Sequence, residues 1–361
     1  MLRRFIFTIF SIFVFLFIVL FFIYRIEKNT EKTKIEYNEK KLIQLSSQLI
    51  KDEINNILSD IKILSSHHEI ERFLKSPRLN KQILIKEFVQ FIQIKKIYDQ
   101  IRILNPKGKE VIRINFNKKP VVVQTRNLQD KSKRPYFKAS ISLKKDEFYL
   151  SPIDLNVEFG KVEKKFKPVI RLAKVLFNQK AEKKGILILN YNASILLKKL
   201  NLILKSKGKE LLLLDSTGCF VVERLKSRWK AERNNTGHLF FKNYYPSAWK
   251  EINKKKKGYF INQKGVFTYT TFYPLKHFKN SKTSIYPEKF YWTIISFIPE
   301  KIFTQSSINV IRNFSLIFIF LLIALSFGAW FYVKNLTERQ NNYEQFQILS
   351  EAIKQSYSAI V

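Results

Sequence analysis

Two stretches of the chain are apolar on every side rather than along one face. Phe5 to Tyr24 is twenty residues without a charge, and Phe314 to Val333 is a second such run. At about 1.5 Å of rise per residue, a helix of that length covers the roughly 30 Å hydrocarbon core of a bilayer. The first run follows Arg3 and Arg4 and ends in Phe21-Phe22-Ile23-Tyr24. A cleaved signal peptide has a shorter apolar core and small residues at its cleavage site, so this run reads as an anchor. Trp330 and Tyr332 close the second run, where amphipathic rings prefer the membrane interface. The paired arginines put the N-terminus in the cytoplasm. Both termini are then cytoplasmic, and the long middle portion lies outside.

Between the spans the pattern becomes one-sided. No Gly or Pro occurs from Ile26 to Leu74, and Ile50, Ile54, Ile57, Ile61 and Leu64 recur at alternating steps of four and three. Leu42, Leu45 and Leu49 extend a similar stripe upstream. This spacing predicts one long helix with an apolar seam, with Asn55-Asn56 as its candidate interruption and Ser76-Pro77 as its end. The seam fits a homodimer contact and fits equally a helix packed along its own domain. Beyond it the period falls to two. Ile101 to Leu104, the turn Asn105-Pro106-Lys107-Gly108, and Glu110 to Phe116, alternating around Arg113 and Asn115, read as a β-hairpin. Gly185 leads into a buried-type strand, Ile186 to Asn190. The hairpin signature recurs: Leu104-Asn105-x-x-Gly108-x-x-Val111-Ile112 is matched by Leu214-Asp215-x-x-Gly218-x-x-Val221-Val222, every position offset by 110 residues. One domain length separates them, so two related α/β units on one helix are expected. Ordinary β-turn chemistry also favours Asn/Asp and Gly at these places.

Charge changes the picture less than its size suggests. Lys and Arg number 65 against 29 Asp and Glu, a formal +36, which suggests nucleic acid, anionic lipid or an anionic ligand. The inferred topology removes nucleic acid, and an AT-rich coding sequence would enrich Lys, Ile, Asn and Phe together in the same way. The single cysteine, Cys219, excludes an intrachain disulfide and a Cys-built zinc site. The four histidines are His67, His68, His238 and His277. His68-Glu69-Ile70 has the look of a kinase phosphoacceptor but lacks the following proline and lies outside the cytoplasm. His67, His68 and Glu69 are adjacent on a helix, where side chains diverge by about 100°, so they are poor metal ligands. No phosphate-binding G-x-x-x-x-G-K-[ST] loop and no H-E-x-x-H helix occurs. Catalysis within these residues is not expected, and no cofactor is.

Three segments are more specific. They are Arg134-Pro135-Tyr136-Phe137, then Ser151-Pro152-Ile153-Asp154-Leu155-Asn156-Val157-Glu158-Phe159-Gly160, then Lys167-Pro168-Val169-Ile170-Arg171 followed by Gly185 to Tyr191. Together they resemble the double Cache, or tandem PAS-like, periplasmic sensor region of bacterial receptors. The nearest variant is that of sensor histidine kinases of the quorum-sensor type and of membrane diguanylate cyclases. The resemblance runs from about Ile26 to Val310 and is strong between Ile101 and Tyr191. Phe346 to Ser356 resembles the helix that enters a cytoplasmic PAS domain, which implies the sensory front end of a longer receptor; a standalone protein is the alternative.

The fold class expected is therefore α+β: two transmembrane helices flanking a long helix that carries two stacked PAS-like units with antiparallel sheets. In segments, 1–4 is a cytoplasmic N-terminus, 5–24 a transmembrane helix, and 25–75 the long periplasmic helix. The membrane-distal unit is 76–200 and the membrane-proximal unit 201–313. A second transmembrane helix is 314–333, and 334–361 is a linker helix. The implied function is extracytoplasmic ligand sensing and transmembrane signalling from a bacterial inner membrane, without a catalytic domain of its own. A non-signalling membrane protein, or a receptor remnant acting through protein contacts, is the alternative. In PAS-like sensors the ligand sits between the sheet and a covering loop, here Arg126 to Phe137. The resemblance then nominates Arg134, Tyr136, Phe137, Ser151, Asp154, Asn156 and Arg171 as ligand-binding. Arg134 offers a fork of donors for a carboxylate and Tyr136 a ring with a hydroxyl, while for Ser151, Asp154, Asn156 and Arg171 the alternative is a role as turn and ion-pair elements that fix the fold. The partners expected are a small anionic or polar periplasmic ligand, membrane lipid, a second copy of the chain and, as a further candidate, a periplasmic binding protein. Pro135 replaces the bulky residue of amino-acid-binding relatives, which argues against an amino acid.

Overall fold

A computed structural model describes residues 2–163, 165–203, 209–222, 239–274 and 290–358. The chain divides into two compact units, residues 38–300 and the two terminal segments 1–37 with 301–361. The terminal unit is helical. It contains the start of α1 (Leu2–Ser65) and nearly all of the last helix, α8 (Glu300–Ser358). Each of these helices is long and apolar enough to cross a membrane. Within this unit they meet through aromatic edges, Phe13 against Phe318 at 5.5 Å and Tyr24 against Phe314 at 6.0 Å between ring centroids.

The larger unit is built along the second half of α1. Ile50, Ile54, Ile57 and Ile61 are at most 1% exposed and share one apolar cluster with Ile101, Ile103, Leu187, Leu189 and Ile294. Burying each such side chain stabilises by about 1.5–3 kcal/mol relative to leaving it in water. The stripe therefore packs within its own chain, and the expected homodimer seam is reassigned to intrachain packing. Polar groups on the same face are paired rather than exposed. Glu39, Ser46, Glu53 and Asp60, spaced seven apart, are all buried. Asp60 accepts from the Tyr98 hydroxyl at 2.6 Å and pairs with Lys95 at 2.7 Å. Glu53 accepts from the Tyr191 hydroxyl at 2.8 Å and from Lys199 at 2.6 Å. Glu39 receives both Lys209 and the Ser296 hydroxyl. Burial first, and then these carboxylates, push the Tyr98 and Tyr191 phenols upward, so both remain proton donors.

Two expectations about this region are corrected. Asn55 and Asn56 lie in uninterrupted helix, and α1 ends at Ser65 instead. Pro77 also does not hand over to strand. After the short α2 (His68–Lys75), it opens a 19-residue helix, α3 (Pro77–Lys95), in the first turn, where a missing N–H costs nothing.

Two antiparallel sheets follow. The first has strand order β3-β2-β1-β9-β8-β4, with β5 also on β8: β1 (Tyr98–Leu104), β2 (Glu110–Asn117), β3 (Lys119–Val122), β4 (Tyr149–Leu150), β5 (Asp154–Leu155), β8 (Pro168–Phe177) and β9 (Lys183–Asn192). A small ribbon pairs β6 (Val157–Glu158) with β7 (Lys161–Val162). Helices α4 (Pro135–Ile141) and α5 (Ala193–Ile203) complete this half. The second sheet has order β10-β13-β12-β11: β10 (Glu210–Leu214), β11 (Lys257–Asn262), β12 (Gly265–Phe272) and β13 (Trp292–Pro299), beside α6 (Phe241–Tyr244) and α7 (Pro246–Lys254).

The 110-residue offset extends into hydrogen bonding. Asn105 Oδ1 accepts from Lys107 N and Lys109 N, each at 3.0 Å; Asp215 Oδ1 accepts from Thr217 N at 2.9 Å and Cys219 N at 3.1 Å. Gly108 and Gly218 follow with φ of +86° and +79°. Each glycine carbonyl then accepts from a residue further on, Lys131 N at 2.9 Å in the first half and Phe241 N at 3.0 Å in the second. Lys131 and Phe241 are themselves 110 residues apart. At Gly108 a Cβ would lie 2.6 Å from the Ser132 backbone, so glycine is required for closeness as well as for φ.

Candidate functional site: a buried polar cluster in the first sheet

Strand β1 turns Ile101 and Ile103 toward α1 and, by the two-residue period, Gln100 and Arg102 toward the opposite face. Register aligns polar residues there across four strands. Asn115 and Asn190 both stand opposite Gln100, and Arg171 stands opposite Asn190. In the next row Arg113 stands opposite Arg102. Such alternation normally marks a solvated face. Here it is covered. Gln100, Arg102 and Arg113 are at most 5% exposed, as are Lys131, Asn156, Arg171 and Asn190.

The countercharges come from the sheet, Glu110 at the start of β2, and from the cover, Glu158 in β6. Glu110 accepts from Arg102 at 3.3 Å through Oε1, and from Arg113 at 3.1 Å and Gln129 N at 2.9 Å through Oε2. Glu158 Oε1 accepts from Gln100 Nε2 at 2.9 Å, and its Oε2 from Gln129 Nε2 at 2.7 Å, Arg113 at 3.1 Å and Lys131 at 3.4 Å. Arg102 also donates to Gln100 Oε1 and, at 3.3 Å, to the Tyr136 hydroxyl. Burial works against the Glu158 carboxylate, but the Arg102 charge, the Gln100 amide, Lys131 and Arg113 outweigh it and draw its pKa down to about 2. Burial and then the Arg102 charge lower the pKa of both Lys131 and Arg171. Several polar atoms keep no partner: Arg102 Nε, Arg113 Nε, Arg134 Nε, Asn115 Oδ1 and Asn190 Oδ1.

Of the residues nominated from sequence, Tyr136, Asn156 and Arg171 join this cluster. The Arg171 guanidinium lies 5.3 Å from the Tyr136 ring centroid and donates to Leu155 O at 3.2 Å. Asn156 Oδ1 accepts from Asn190 Nδ2 at 3.4 Å. Arg134 immediately precedes α4, whose first residue is Pro135. Phe137 packs in an apolar cluster with Leu104, Tyr149, Ile188 and Tyr136 itself. Ser151 bonds backbone, accepting from Arg171 N at 2.8 Å and donating to Pro152 O at 2.8 Å, and Asp154 Oδ1 accepts from Leu155 N at 2.8 Å. Sequence reasoning missed Gln100, Arg102, Glu110, Gln129, Lys131, Glu158 and Asn190. The signals that held them were the alternation around Arg113 and Asn115, the covering loop Arg126 to Phe137 with Gln129 and Lys131 in it, and the motif segments that include Glu158 and Asn190. Among the described residues no group of three or more His, Cys, Asp or Glu is placed to hold a metal ion, while His238 and His277 lie outside them.

The second sheet fills the matching place with rings. Phe267 and Phe297 stand opposite each other and stack at 4.6 Å, and Phe260 stacks on Phe267 at 5.1 Å. Tyr245 closes on Phe297 at 5.0 Å, and Phe241 packs edge-on to Phe267 at 6.2 Å.

The profile of the bacterial histidine kinase sensor domain matches residues 27–282. No curated protein sequence matches the chain. Among solved structures, a domain of a sensory box/GGDEF family protein from Vibrio parahaemolyticus aligns with TM-score 0.58 and 21% identity, covering 74% of this chain and 99% of that one. The extracellular domain described as that of a histidine kinase aligns with TM-score 0.58 and 20% identity over 77% of this chain and 99% of its own. The ligand-binding domain of the Pseudomonas fluorescens chemoreceptor CtaA, in complex with L-serine, aligns with TM-score 0.47 and 11% identity over 74% and 98%.

Proposed function

The chain belongs to the bacterial histidine kinase sensor domain family, and from that premise we propose that it is the sensory and transmembrane part of an inner-membrane receptor, with a small anionic or polar ligand received in the membrane-distal unit. In this reading residues 38–300 face the periplasm, both termini are cytoplasmic, and α8 carries the signal toward an output domain. One observation supports the choice of unit. The distal sheet presents buried, incompletely paired polar groups beneath a covering segment, while the corresponding face of the proximal sheet is filled by Phe260, Phe267 and Phe297. A pocket that binds a polar ligand needs convergent polar groups, and a packed aromatic core offers none. Homodimerisation, in this reading, uses surfaces other than the α1 stripe.

Two measurements test it. Alkaline phosphatase fused at Lys254 is expected to be active and at Gln355 inactive; the reverse pattern refutes the orientation. A thermal-shift screen of the full chain in nanodiscs against carboxylates, amino acids, polyamines and sugars is expected to give ligands whose effect is lost in Arg171→Met and kept in Tyr269→Phe. Ligands lost only in Tyr269→Phe would move the site to the proximal unit.

A further inference from the structure

The terminal unit carries a groove of its own. Where α1 and α8 run side by side they leave about 560 Å³ between Phe17, Phe21 and Tyr24 on one helix and Phe314, Ser315 and Phe318 on the other. Its walls change character along the helices. At one end Phe318 packs edge-on to Phe13 at 5.5 Å and to Phe17 at 6.4 Å, and the lining is wholly apolar. Toward the other end Ser315 and Tyr24 bring two hydroxyls, with the Tyr24 ring 6.0 Å from that of Phe314. Beyond these the cations begin. The Arg25 guanidinium lies 5.6 Å from the Phe21 ring centroid and the Lys28 ammonium 5.8 Å from that of Tyr24, so both stand over rings that line the groove. Arg312 follows Ile311 at the same end of α8. Glu27 and Glu31 share this stretch, yet among the described residues none of the three cations forms an ion pair with a carboxylate.

In the spanning reading these cations lie at the ends of the helices that join the sensor unit. Lys and Arg are ordinarily concentrated at the cytoplasmic ends of spans, so topology does not account for them. From Phe17 to Tyr24 the helix rises about 10 Å, which fits inside the roughly 15 Å of hydrocarbon in one leaflet. Apolar wall, then hydroxyls, then cations is the order of acyl chain, ester oxygens and phosphate in a phospholipid. A second copy of the chain fits less well. Its helices could cover the apolar wall, but they would bring the same cations to the same depth, and like charges set side by side repel.

Resting on the membrane-spanning reading of α1 and α8, we infer that this groove binds an anionic phospholipid of the sensor-side leaflet. One acyl chain lies against Phe17, Phe21 and Phe318, and the phosphate meets Arg25 and Lys28. Such a lipid touches both helices that leave the sensor unit, and its headgroup charge decides how tightly it is held.

The test titrates the full chain, purified in detergent, with dioleoyl phosphatidylglycerol or with phosphatidylcholine of the same chains, and counts bound lipid by native mass spectrometry. Phosphatidylglycerol is expected to bind at one molecule per chain and at least about tenfold more tightly than phosphatidylcholine, whose choline would meet the cations. Arg25→Gln with Lys28→Gln is expected to weaken phosphatidylglycerol by about thirtyfold and to leave phosphatidylcholine unchanged. Lys334→Gln, beyond the opposite end of the apolar run, is expected to change neither, and Ser315→Phe, which fills the groove, to weaken both. Equal binding of the two lipids, or phosphatidylglycerol indifferent to the paired Gln variant, overturns the headgroup site. Affinity kept in Ser315→Phe overturns the groove, and glycerol 3-phosphate competing as well as the lipid overturns the need for a chain. Disulfide-linked dimers of Phe318→Cys, made in a Cys219→Ser background, would put a second copy there instead. Release of the chain from membranes by alkaline carbonate would defeat the spanning reading on which the site rests.

Discussion

The two sheets solve one problem in opposite ways. Both contain the same turn, Asn105 to Gly108 and Asp215 to Gly218, and in both a later segment reaches back to the turn glycine, so that Lys131 N and Phe241 N meet equivalent carbonyls. At matched places the distal half then puts Arg102, Glu110, Lys131, Arg171 and Asn190, while the proximal half puts Leu212, Phe220, Phe241, Phe267 and Phe297. Backbone hydrogen bonding specifies the frame and is indifferent to which side chains it holds. The side chains decide whether the covered face is a self-sufficient core or a set of groups awaiting a partner. In the proposed reading, recognition falls to the charged face, while the ringed face is packed core.

The largest break in this comparison comes from the rings. Phe267→Ala removes a fully buried ring stacked on both Phe260 and Phe297, and is expected to destabilise by about 3–5 kcal/mol in denaturant titrations while leaving ligand affinity at the distal sheet unchanged. A loss of affinity with retained stability would mean that the two halves are not divided in this way.

A smaller effect separates the halves by pH. The pKa of Glu158 is about 2 in the folded chain, below the ordinary carboxylate value of 4.5, because Arg102, Gln100, Lys131 and Arg113 hold the charged form. The folded state then binds fewer protons than the unfolded state, so this contribution is complete above about pH 5 and is lost as pH falls toward 2. Its size is on the order of 2–3 kcal/mol. Hydrogen exchange at acid pH is expected to open β1 and β2 before β12 and β13, and Glu158→Gln to remove most of that pH dependence. Simultaneous opening of all four strands would deny the distal cluster its separate acid sensitivity.

The smallest effect tests the shared frame. Asn105→Ala and Asp215→Ala each delete a side-chain acceptor for two backbone N–H groups, and each is expected to cost about 1 kcal/mol. Markedly unequal losses, measured by thermal unfolding, would show that the turns differ in role despite their geometry.

The sequence alone determined what depends on local chemistry. Twenty uncharged residues in a row read as apolar helix, Asn-x-x-Gly and Asp-x-x-Gly each close a tight turn, and the motif segments from Arg134 to Tyr191 carry the family resemblance. It could not decide which surface an amphipathic stripe meets. A seam of Ile50, Ile54, Ile57 and Ile61 reads the same against a second helix as against a sheet, and only the packing of Ile101, Leu187 and Ile294 against it assigns it to its own chain. Helix α3 was missed for a related reason: Pro77 was read as ending a helix, whereas proline also suits the start of one. The polar cluster was hidden because alternation in β1 and β2 states that one face is polar without stating whether water reaches it. Burial of that face is a long-range property. It arises when Glu158, Gln129 and Lys131, distant in sequence, are folded over Gln100, Arg102 and Arg113, and only then do ordinary surface residue types become a charged interior.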